Sequence, residues 1–233
     1  MREILTDGFE ELGLRLPVGA AERFDAYYKL LSERSRVMNL TAISGREDTA
    51  RLHFLDCAAI ANAAQLEGKR VIDVGSGAGF PGLPLKIIMP DIGLTLLDSQ
   101  KKRVDFLSEL CEKLGLADVE CLWSRAEEAP ARLCESFDVA TSRAVARLNV
   151  LAELCLPFVR PGGVFLAMKG PEPEEEAAEA RGAFEKLGGA LRGIDSYTIP
   201  GTDVAHSVVV VEKTGVTPAI YPRRFAKIQK APL

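Results

Sequence analysis

The feature that most constrains this chain is a glycine-rich loop that directly follows a short apolar stretch. Residues 70–74 have a strand-like pattern, and Gly75, Gly77 and Gly79 then alternate with other residues ahead of a helix-like segment. A strand, a glycine turn and a helix N-terminus together form a cradle in which backbone N–H groups can approach a ligand. The loop therefore predicts a site for a nucleotide-like small molecule. The alternative is a glycine turn that serves only packing.

Two departures from the dinucleotide-binding pattern indicate which ligand the loop takes. The position of the third glycine in G-x-G-x-x-G is Phe80, and Asp73 lies two residues before the first glycine. A carboxylate there would repel a pyrophosphate but suits a ligand that bears an amine or a positive charge. The arrangement resembles motif I of class I S-adenosylmethionine (SAM) methyltransferases. We therefore expect Asp73, Gly75, Gly77, Gly79 and Phe80 to bind SAM.

A second acidic residue ends the next apolar run, at Asp98, and Ser99 follows it. In doubly wound sheets, an acid about 20 residues beyond the glycine loop accepts hydrogen bonds from ribose hydroxyls. This position is shared by NAD and SAM binders, so it supports the fold more than the ligand. An Asp after a strand is also a common helix N-cap.

Beyond residue 70, apolar runs alternate with helical patterns, which predicts an α/β fold with a mostly parallel sheet covered on both faces. The last two strand-like segments, 190–199 and 206–213, are joined by a link too short for a helical crossover, so they must pair antiparallel. We predict a class I methyltransferase, Rossmann-like sheet of seven strands with an antiparallel last strand. The predicted parts are an N-terminal helical extension (1–65), a SAM-binding domain (66–215) and a basic tail (216–233). The other predicted strands are 70–74, 94–98, 119–123, 137–141 and 164–169, and the helices are 81–89, 101–114, 147–158 and 172–187.

Composition sets the compartment and the partners. The net charge of −4 argues against a protein coated with basic surface, but Arg223, Arg224, Lys227 and Lys230 form a basic tail without an acid among them. The five cysteines show no zinc-like spacing, and no uncharged apolar run approaches the length of a membrane span. We predict a cytoplasmic, monomeric protein with no metal site and no membrane association.

Several motifs together resemble one family, the bacterial small-subunit ribosomal RNA guanine-N7 methyltransferases, also called glucose-inhibited division protein B (GidB). The resemblance covers nearly the whole chain. A Cys at position 57 and the segment 33–38 depart from the family pattern, both away from the glycine loop. The motifs are Asn39-Leu40-Thr41, His53-Phe54-Leu55-Asp56, the loop with Phe80-Pro81-Gly82, Leu97-Asp98-Ser99, Arg125-Ala126-Glu127, Ser142-Arg143-Ala144-Val145-Ala146, Lys169-Gly170 and Tyr221-Pro222-Arg223-Arg224.

The resemblance implies a role for each matching residue. SAM would contact Gly75 and Phe80, with Ala126 and Glu127 beside the adenine and Arg143 near the reacting end. Arg143 would position the reactants, whereas His206, at the start of the last strand, would be an exposed residue without a catalytic role. The small-subunit ribosomal RNA, alone or in a ribosomal particle, would contact His53, Lys169, Arg223, Arg224 and Lys227. For His53, a structural contact with the Asn39-Leu40-Thr41 loop is the alternative.

The implied chemistry needs little from the protein, because guanine N7 carries no proton and no general base is required. Catalysis would then come from holding the reactants in line. Three alternatives remain open. They are a SAM methyltransferase of another RNA or of a small metabolite, a nucleotide-binding dehydrogenase, and a non-catalytic RNA-binding module that kept the fold.

Overall fold

The computed structural model describes residues 1–143 and 146–233, so Ala144 and Val145 of the Ser-Arg-Ala motif lie outside the described residues. Its centre is one sheet of seven strands in the order β3-β2-β1-β4-β5-β7-β6. The strands are β1 (Arg70–Val74), β2 (Gly93–Asp98), β3 (Val119–Trp123), β4 (Phe137–Arg143), β5 (Val159–Lys169), β6 (Gly189–Thr198) and β7 (Ala205–Lys213).

The pairing confirms the predicted topology. Strands β1 to β5 pair in parallel, and β7 runs antiparallel to both β5 and β6. The short link from Ile199 to Val204 forces the antiparallel pairing of β6 with β7, because it can close a hairpin but cannot carry a crossover helix. Since β7 is antiparallel, its first residues lie at the edge where the parallel strands end. That edge will be called the carboxyl edge.

Helices cover both faces of the sheet, and two hydrophobic cores result. The predicted helix over 172–187 is divided at Ala180, and the other predicted helices appear within three residues of their expected limits. None of the helices in the described ranges is both long enough and apolar enough to cross a membrane. The helices are α1 (Arg2–Glu11), α2 (Ala20–Met38), α3 (Arg46–Thr49), α4 (Asp56–Ala59), α5 (Gly82–Ile88), α6 (Lys101–Leu114), α7 (Leu148–Cys155), α8 (Glu174–Glu179), α9 (Arg181–Lys186) and α10 (Phe225–Lys230).

The N-terminal helices share a core with the sheet and reach the glycine loop. An aromatic cluster joins them, in which the Tyr27 ring stacks on Phe80 at 5.4 Å and contacts Phe54 at 5.2 Å between ring centroids. The Tyr27 hydroxyl donates to the Ala78 carbonyl at 2.6 Å. The helical extension therefore fixes the position of the loop, a contact that the sequence analysis did not predict.

A π-helical turn, Ala50–Leu55, connects α3 to α4. The Asp56 N–H donates to the carbonyls of Arg51 and His53, so the carbonyl of Leu52 is left out of that pattern. Single π turns of this kind are frequent at functional sites. This turn carries His53, and Asp56 follows it, at the carboxyl edge of the sheet.

The basic C-terminal segment packs against the second core, with Ile228 fully buried. The Arg223 guanidinium donates to both carboxylate oxygens of Glu153, at 2.5 to 3.0 Å, and the Arg223 N–H donates to Glu153 at 2.8 Å. Glu153 is 0% exposed. The Arg223 guanidinium therefore has a structural partner, because a buried carboxylate must keep its countercharge, and its contact with RNA stays a prediction.

We expect Arg223→Ala to lower the free energy of unfolding by about 3–5 kcal/mol, because it leaves the Glu153 charge buried and unpaired. Urea unfolding measures this change. Arg224→Ala is the matched control, since Arg224 is exposed and a surface substitution changes stability by at most about 0.5 kcal/mol. Equal stability of the two variants would contradict the structural role of Arg223.

Candidate active site

Two adjoining cavities open at the carboxyl edge, where β1, β2 and β4 end. Gly75, Asp98 and Ser99 line both of them, so they form one continuous cleft. In open α/β sheets, ligands bind in this crevice. The first part, called the loop cavity, is lined by Leu40, Thr41, His53, Gly75, Ser76, Gly77, Ala78, Phe80, Asp98, Ser99, Arg103 and Arg143. The second, called the Phe225 cavity, is lined by Val74, Gly75, Leu97, Asp98, Ser99, Ser124, Arg125, Ala126, Glu127, Leu154 and Phe225.

Five backbone donors of the glycine loop bond acceptors inside the protein, whereas the sequence predicted that the loop donors face the ligand. The N–H groups of Gly75 and Ser76 donate to the Leu97 carbonyl, and those of Gly79 and Phe80 donate to the Ser76 carbonyl. The Gly77 N–H donates to Asp98 Oδ2 at 2.9 Å. These bonds fix the loop, so its positive-φ glycines serve the loop's own shape rather than an anion cradle.

Gly77 and Gly79 need to be glycine for different reasons. A Cβ at Gly79 would lie 2.5 Å from the Leu83 side chain and 2.6 Å from the Tyr27 hydroxyl. A Cβ at Gly77 would have only the Gly75 carbonyl oxygen within 4 Å, at 3.8 Å. Gly77 therefore borders open space of the loop cavity that a side chain would fill. Both have positive φ, +59° and +103°, which L side chains rarely adopt.

Asp73 lies behind the loop and lines neither cavity, so its expected contact with SAM stays a prediction. It is fully buried, and its Oδ2 accepts from the Gly82 N–H at 3.0 Å, at the start of α5. Its Oδ1 has no hydrogen-bond partner among the described residues. Burial raises the pKa of Asp73 to about 7, against the opposing effect of the Gly82 hydrogen bond.

Asp98 lies where the two cavities meet, as predicted. Its two oxygens accept from the N–H groups of Gly77 and Gln100, at 2.9 and 2.8 Å, and Arg103 Nη1 lies 3.5 Å from Oδ2. A carboxylate offers about four lone-pair sites, so capacity remains for ribose hydroxyls. Asp98 therefore holds the glycine loop, a role that the sequence did not reveal, and its contact with ribose stays a prediction.

The Phe225 cavity brings together Ala126 and Glu127, which the resemblance places beside adenine. Both belong to a short 3₁₀ turn, Ala126–Glu128. The opposite wall comes from the C-terminal segment, where the Arg125 guanidinium lies 5.9 Å from the centre of the Phe225 ring. Phe225 follows the Arg223 anchor by two residues. The basic tail therefore contributes an aromatic wall to the cleft, which the sequence analysis did not predict.

Arg143 ends β4 inside a network, and not on the surface. Its Nη1 donates to Asp56 Oδ2 at 3.1 Å and to the Leu52 carbonyl at 3.3 Å, and its Nη2 lies 2.9 Å from His53 Nδ1. The guanidinium also lies 4.7 Å from the centre of the Phe80 ring. Its side chain is 17% exposed and borders the loop cavity. Arg143 is therefore one side of a buried ion pair at the site.

Asp56 is the acceptor at the centre of this network, at 1% exposure. Its Oδ1 accepts a hydrogen bond from the Tyr197 hydroxyl at 2.7 Å and also lies 2.7 Å from His206 Nδ1. His206, expected from the sequence to be exposed rather than catalytic, is only partly exposed: its side chain is 30% exposed, and its pKa is raised by the hydrogen bond to Asp56. The topology could have found His206, since the start of an antiparallel strand lies at the carboxyl edge.

His53 is neutral at physiological pH. Its Nδ1 accepts from Arg143, which assigns the proton to Nε2, 2.7 Å from Thr41 Oγ1. Burial, together with the nearby Arg143 charge, lowers the pKa of His53 to about 3. The contact with the Asn39-Leu40-Thr41 loop, one of two alternatives from the sequence, is confirmed. His53 also lines the loop cavity.

The chain is similar to named ribosomal RNA methyltransferases over nearly its whole length. The family model described as GidB, rRNA small subunit methyltransferase G, matches residues 20–200. A Clostridium perfringens protein named ribosomal RNA small subunit methyltransferase G is 42% identical, over 99% of this chain and 98% of its own length. A protein of the same name from Caldanaerobacter subterraneus subsp. tengcongensis is 44% identical with the same coverage. This chain belongs to the GidB family.

Solved structures confirm the fold of this GidB-family chain. M. jannaschii TYW2, crystallised in complex with AdoMet, superimposes with a TM-score of 0.57 at 16% identity. The match covers 74% of this chain and 79% of that one. The seven-stranded sheet with its antiparallel β7 is thus the class I methyltransferase fold that the sequence predicted.

The remaining predicted RNA contacts of this GidB-family chain lie in two places. Lys169 ends β5, and its ammonium bonds Glu176 at 2.9 Å and the Ala146 carbonyl at 3.3 Å, so it is held by an internal ion pair. Arg224 and Lys227 are exposed at the start of α10. Their role in RNA binding stays a prediction.

We expect Arg143→Ala to lose about 3–5 kcal/mol of unfolding free energy, because it leaves Asp56 buried without its main countercharge. Arg147→Ala removes an exposed ion pair with Glu179 and should change stability by at most about 1 kcal/mol. Chemical denaturation compares the two. Arg143→Lys keeps the charge but cannot make the forked contacts, so it should lose methyl transfer with a smaller loss of stability.

The low pKa of His53 should by itself lower the stability of the folded protein in acid. Between pH 6.5 and about 3 the unfolded chain binds the proton that the folded chain refuses, so stability falls as pH falls. Below pH 6 the loss is about 1.4 kcal/mol per pH unit for this one group. The raised pKa of Asp73 acts in the opposite direction in the same range. Because Asp73 is present in both wild type and His53→Gln, its contribution cancels in the difference between their unfolding free energies.

Unfolding free energies of wild type and His53→Gln at pH 4, 5 and 6 test this expectation. As the pH falls, the unfolding free energy of wild type should decrease steadily relative to that of His53→Gln. Parallel pH profiles would show that His53 takes up a proton in the folded protein.

Proposed function

We propose that this protein transfers a methyl group from SAM to N7 of a guanine in small-subunit ribosomal RNA. The observation that carries the proposal is a continuous cleft at the carboxyl edge, in a chain whose family and named relatives are small-subunit rRNA methyltransferases. SAM supplies a sulfonium methyl group that is already activated. The protein would act in the cytoplasm, where ribosomal RNA is found.

The residues of the cleft fit SAM. Asp98 borders both cavities and has acceptor capacity for ribose hydroxyls. Ala126, Glu127 and Phe225 form a pocket with aromatic and polar walls for adenine. The open space at Gly77 in the loop cavity accommodates the methionine end, with Gly75 and Ser99 around it, while Gly79 supports the loop from behind. The loop donors are used internally, which suits a cationic ligand better than a phosphate.

The titratable groups around the loop cavity agree with chemistry that needs no general base. His53 is neutral and shares its Nε2 proton with Thr41, and Arg143 is a cation held by Asp56. Neither is placed to remove a proton, and guanine N7 has none to lose. The protein's contribution is to orient the reactants, for which proximity supplies about 7–11 kcal/mol of the barrier. Arg143, fixed by Asp56, is the positioning residue for the reacting end.

The same cleft would serve a small-metabolite methyltransferase, so RNA must be tested directly. Transfer of labelled methyl to small-subunit ribosomal particles and to the naked RNA, followed by identification of 7-methylguanine in digests, decides between the two. Labelled 7-methylguanine is the expected product. Methyl acceptance by metabolite extracts alone, with none by RNA, would overturn the proposal.

Gly77→Val is the sharpest test of the SAM site. Its side chain fills open space of the loop cavity, and it costs about 1–2 kcal/mol from the positive φ. Isothermal titration should show loss of SAM binding while circular dichroism shows a folded protein. Gly115→Val is the control, because Gly115 has φ +61° and open space but lies at the end of α6, outside the cleft lining. Wild-type SAM affinity in Gly77→Val would place the ligand elsewhere.

A further inference from the structure

A second pocket lies on α2, beside the loop that follows this helix. Five residues of α2 line it at spacings of three and four, so they share one face of the helix. The loop and the start of α3 close the other side. The pocket, called the α2 pocket, is lined by Tyr28, Leu31, Ser32, Ser35, Arg36, Thr41, Ile43, Ser44, Gly45 and Thr49.

The α2 pocket adjoins the loop cavity through one residue, Thr41, which lines both. The Thr41 hydroxyl oxygen accepts from the Ile43 N–H at 3.0 Å and lies 2.7 Å from His53 Nε2. This fixes the wall between the two cavities. An RNA strand that leaves the loop cavity on the side of Thr41 therefore meets the α2 pocket next.

The chemistry of the lining is that of a polar ligand site. Ser32, Ser35 and Ser44 contribute hydroxyl groups without a hydrogen-bond partner among the described residues, whereas the Thr41 and Thr49 hydroxyls bond His53 and the Gly45 carbonyl. The Ser35 Oγ is buried and has no hydrogen-bond partner among the described residues. A buried hydroxyl without a partner carries a desolvation penalty, which a bound ligand with polar groups would remove. Tyr28 adds an aromatic ring to the same lining.

Arg36 supplies a cation at this pocket. Two other arginines near it in the sequence or the fold are already paired, since Arg34 pairs with Glu109 at 2.5 Å and Arg51 with Glu47 at 3.1 Å. Arg51 also donates to the Pro200 carbonyl. Arg36 is exposed and forms no ion pair with the described residues. Its guanidinium is therefore available to a phosphate.

We propose that the α2 pocket binds one nucleotide of the RNA strand next to the target guanine. The hydroxyl groups take the ribose and the base edges, Tyr28 offers a stacking surface, and Arg36 takes the phosphate. Single-stranded RNA is recognised by this combination of base stacking, hydrogen bonds to splayed bases and phosphate contacts. The inference rests on the proposed function, because it assumes that RNA enters the loop cavity.

Three variants test the pocket in RNA binding. Arg36→Gln should weaken binding of small-subunit ribosomal RNA about tenfold and reduce the slope of log affinity against log salt by about 0.7, for one lost phosphate contact. Arg34→Gln is the matched control on the same helix and should leave the slope unchanged. Ser35→Ala should weaken binding several-fold without changing the slope, while making the free protein no less stable.

The SAM affinity of all three variants should equal that of wild type, since none of the three residues lines the cleft. Equal salt slopes for Arg36→Gln, Arg34→Gln and wild type would overturn the proposal. Methyl transfer is read separately. If the salt slope of RNA binding depends on Arg36 but the wild-type protein transfers no methyl group to RNA, the α2 pocket is supported and the proposed function is refuted. If the wild-type protein transfers methyl but the salt slopes of the three proteins are equal, the proposed function is supported and the α2 pocket is refuted.

Discussion

The buried carboxylate of Asp56 is the interaction on which the site depends. A charge at this depth is stable only when paired and hydrogen-bonded, and its partners come from three different strands. Arg143 ends β4, Tyr197 lies near the end of β6, and His206 begins β7. The carboxylate therefore joins the helical extension to the far half of the sheet. Arg143 can face the cleft only because this assembly is complete.

The glycine loop is held from two sides in a similar way. Asp98 binds the Gly77 N–H from β2, and Tyr27 binds the Ala78 carbonyl from α2. A loop that satisfies its own donors has little freedom left to lose when a ligand binds. This preorganisation is the property that reactions accelerated by proximity require. The N-terminal helices thus act on the site through the loop as well as through Asp56.

Local sequence patterns predicted most of the fold. The limits of β1, β3 and α6 agree with prediction to the residue, because apolar periodicity and flanking glycines define them locally. The motif residues Asp98, Ala126 and Glu127 border the cleft as expected. The glycine loop was predicted at the right place with the wrong role for its donors, since which acceptor an N–H finds depends on neighbouring strands.

Contacts between distant segments could not be predicted in the same way. Asp56 and His206 are 150 positions apart, and Arg223 and Glu153 are 70 apart. No periodicity reports such pairs, and Arg223 among four cations has the pattern of a solvated tail. The orientation of Asp73 away from the cleft likewise depends on where α5 begins. The contacts of these residues can be predicted only when the strand order is known.

The π-helical turn has a consequence for the chain's tolerance of length changes. In a regular α-helix, the Leu52 carbonyl would accept the Asp56 N–H four residues later. Here that N–H is shifted to other carbonyls, and the Leu52 oxygen accepts from Arg143 instead. Deleting one residue between 50 and 55 would restore regular helical bonding and rotate the preceding segment by about 100° relative to Asp56. The extra residue thus frees the Leu52 carbonyl to accept a hydrogen bond from Arg143. The position of Arg143 at the site therefore requires the irregularity of the helix.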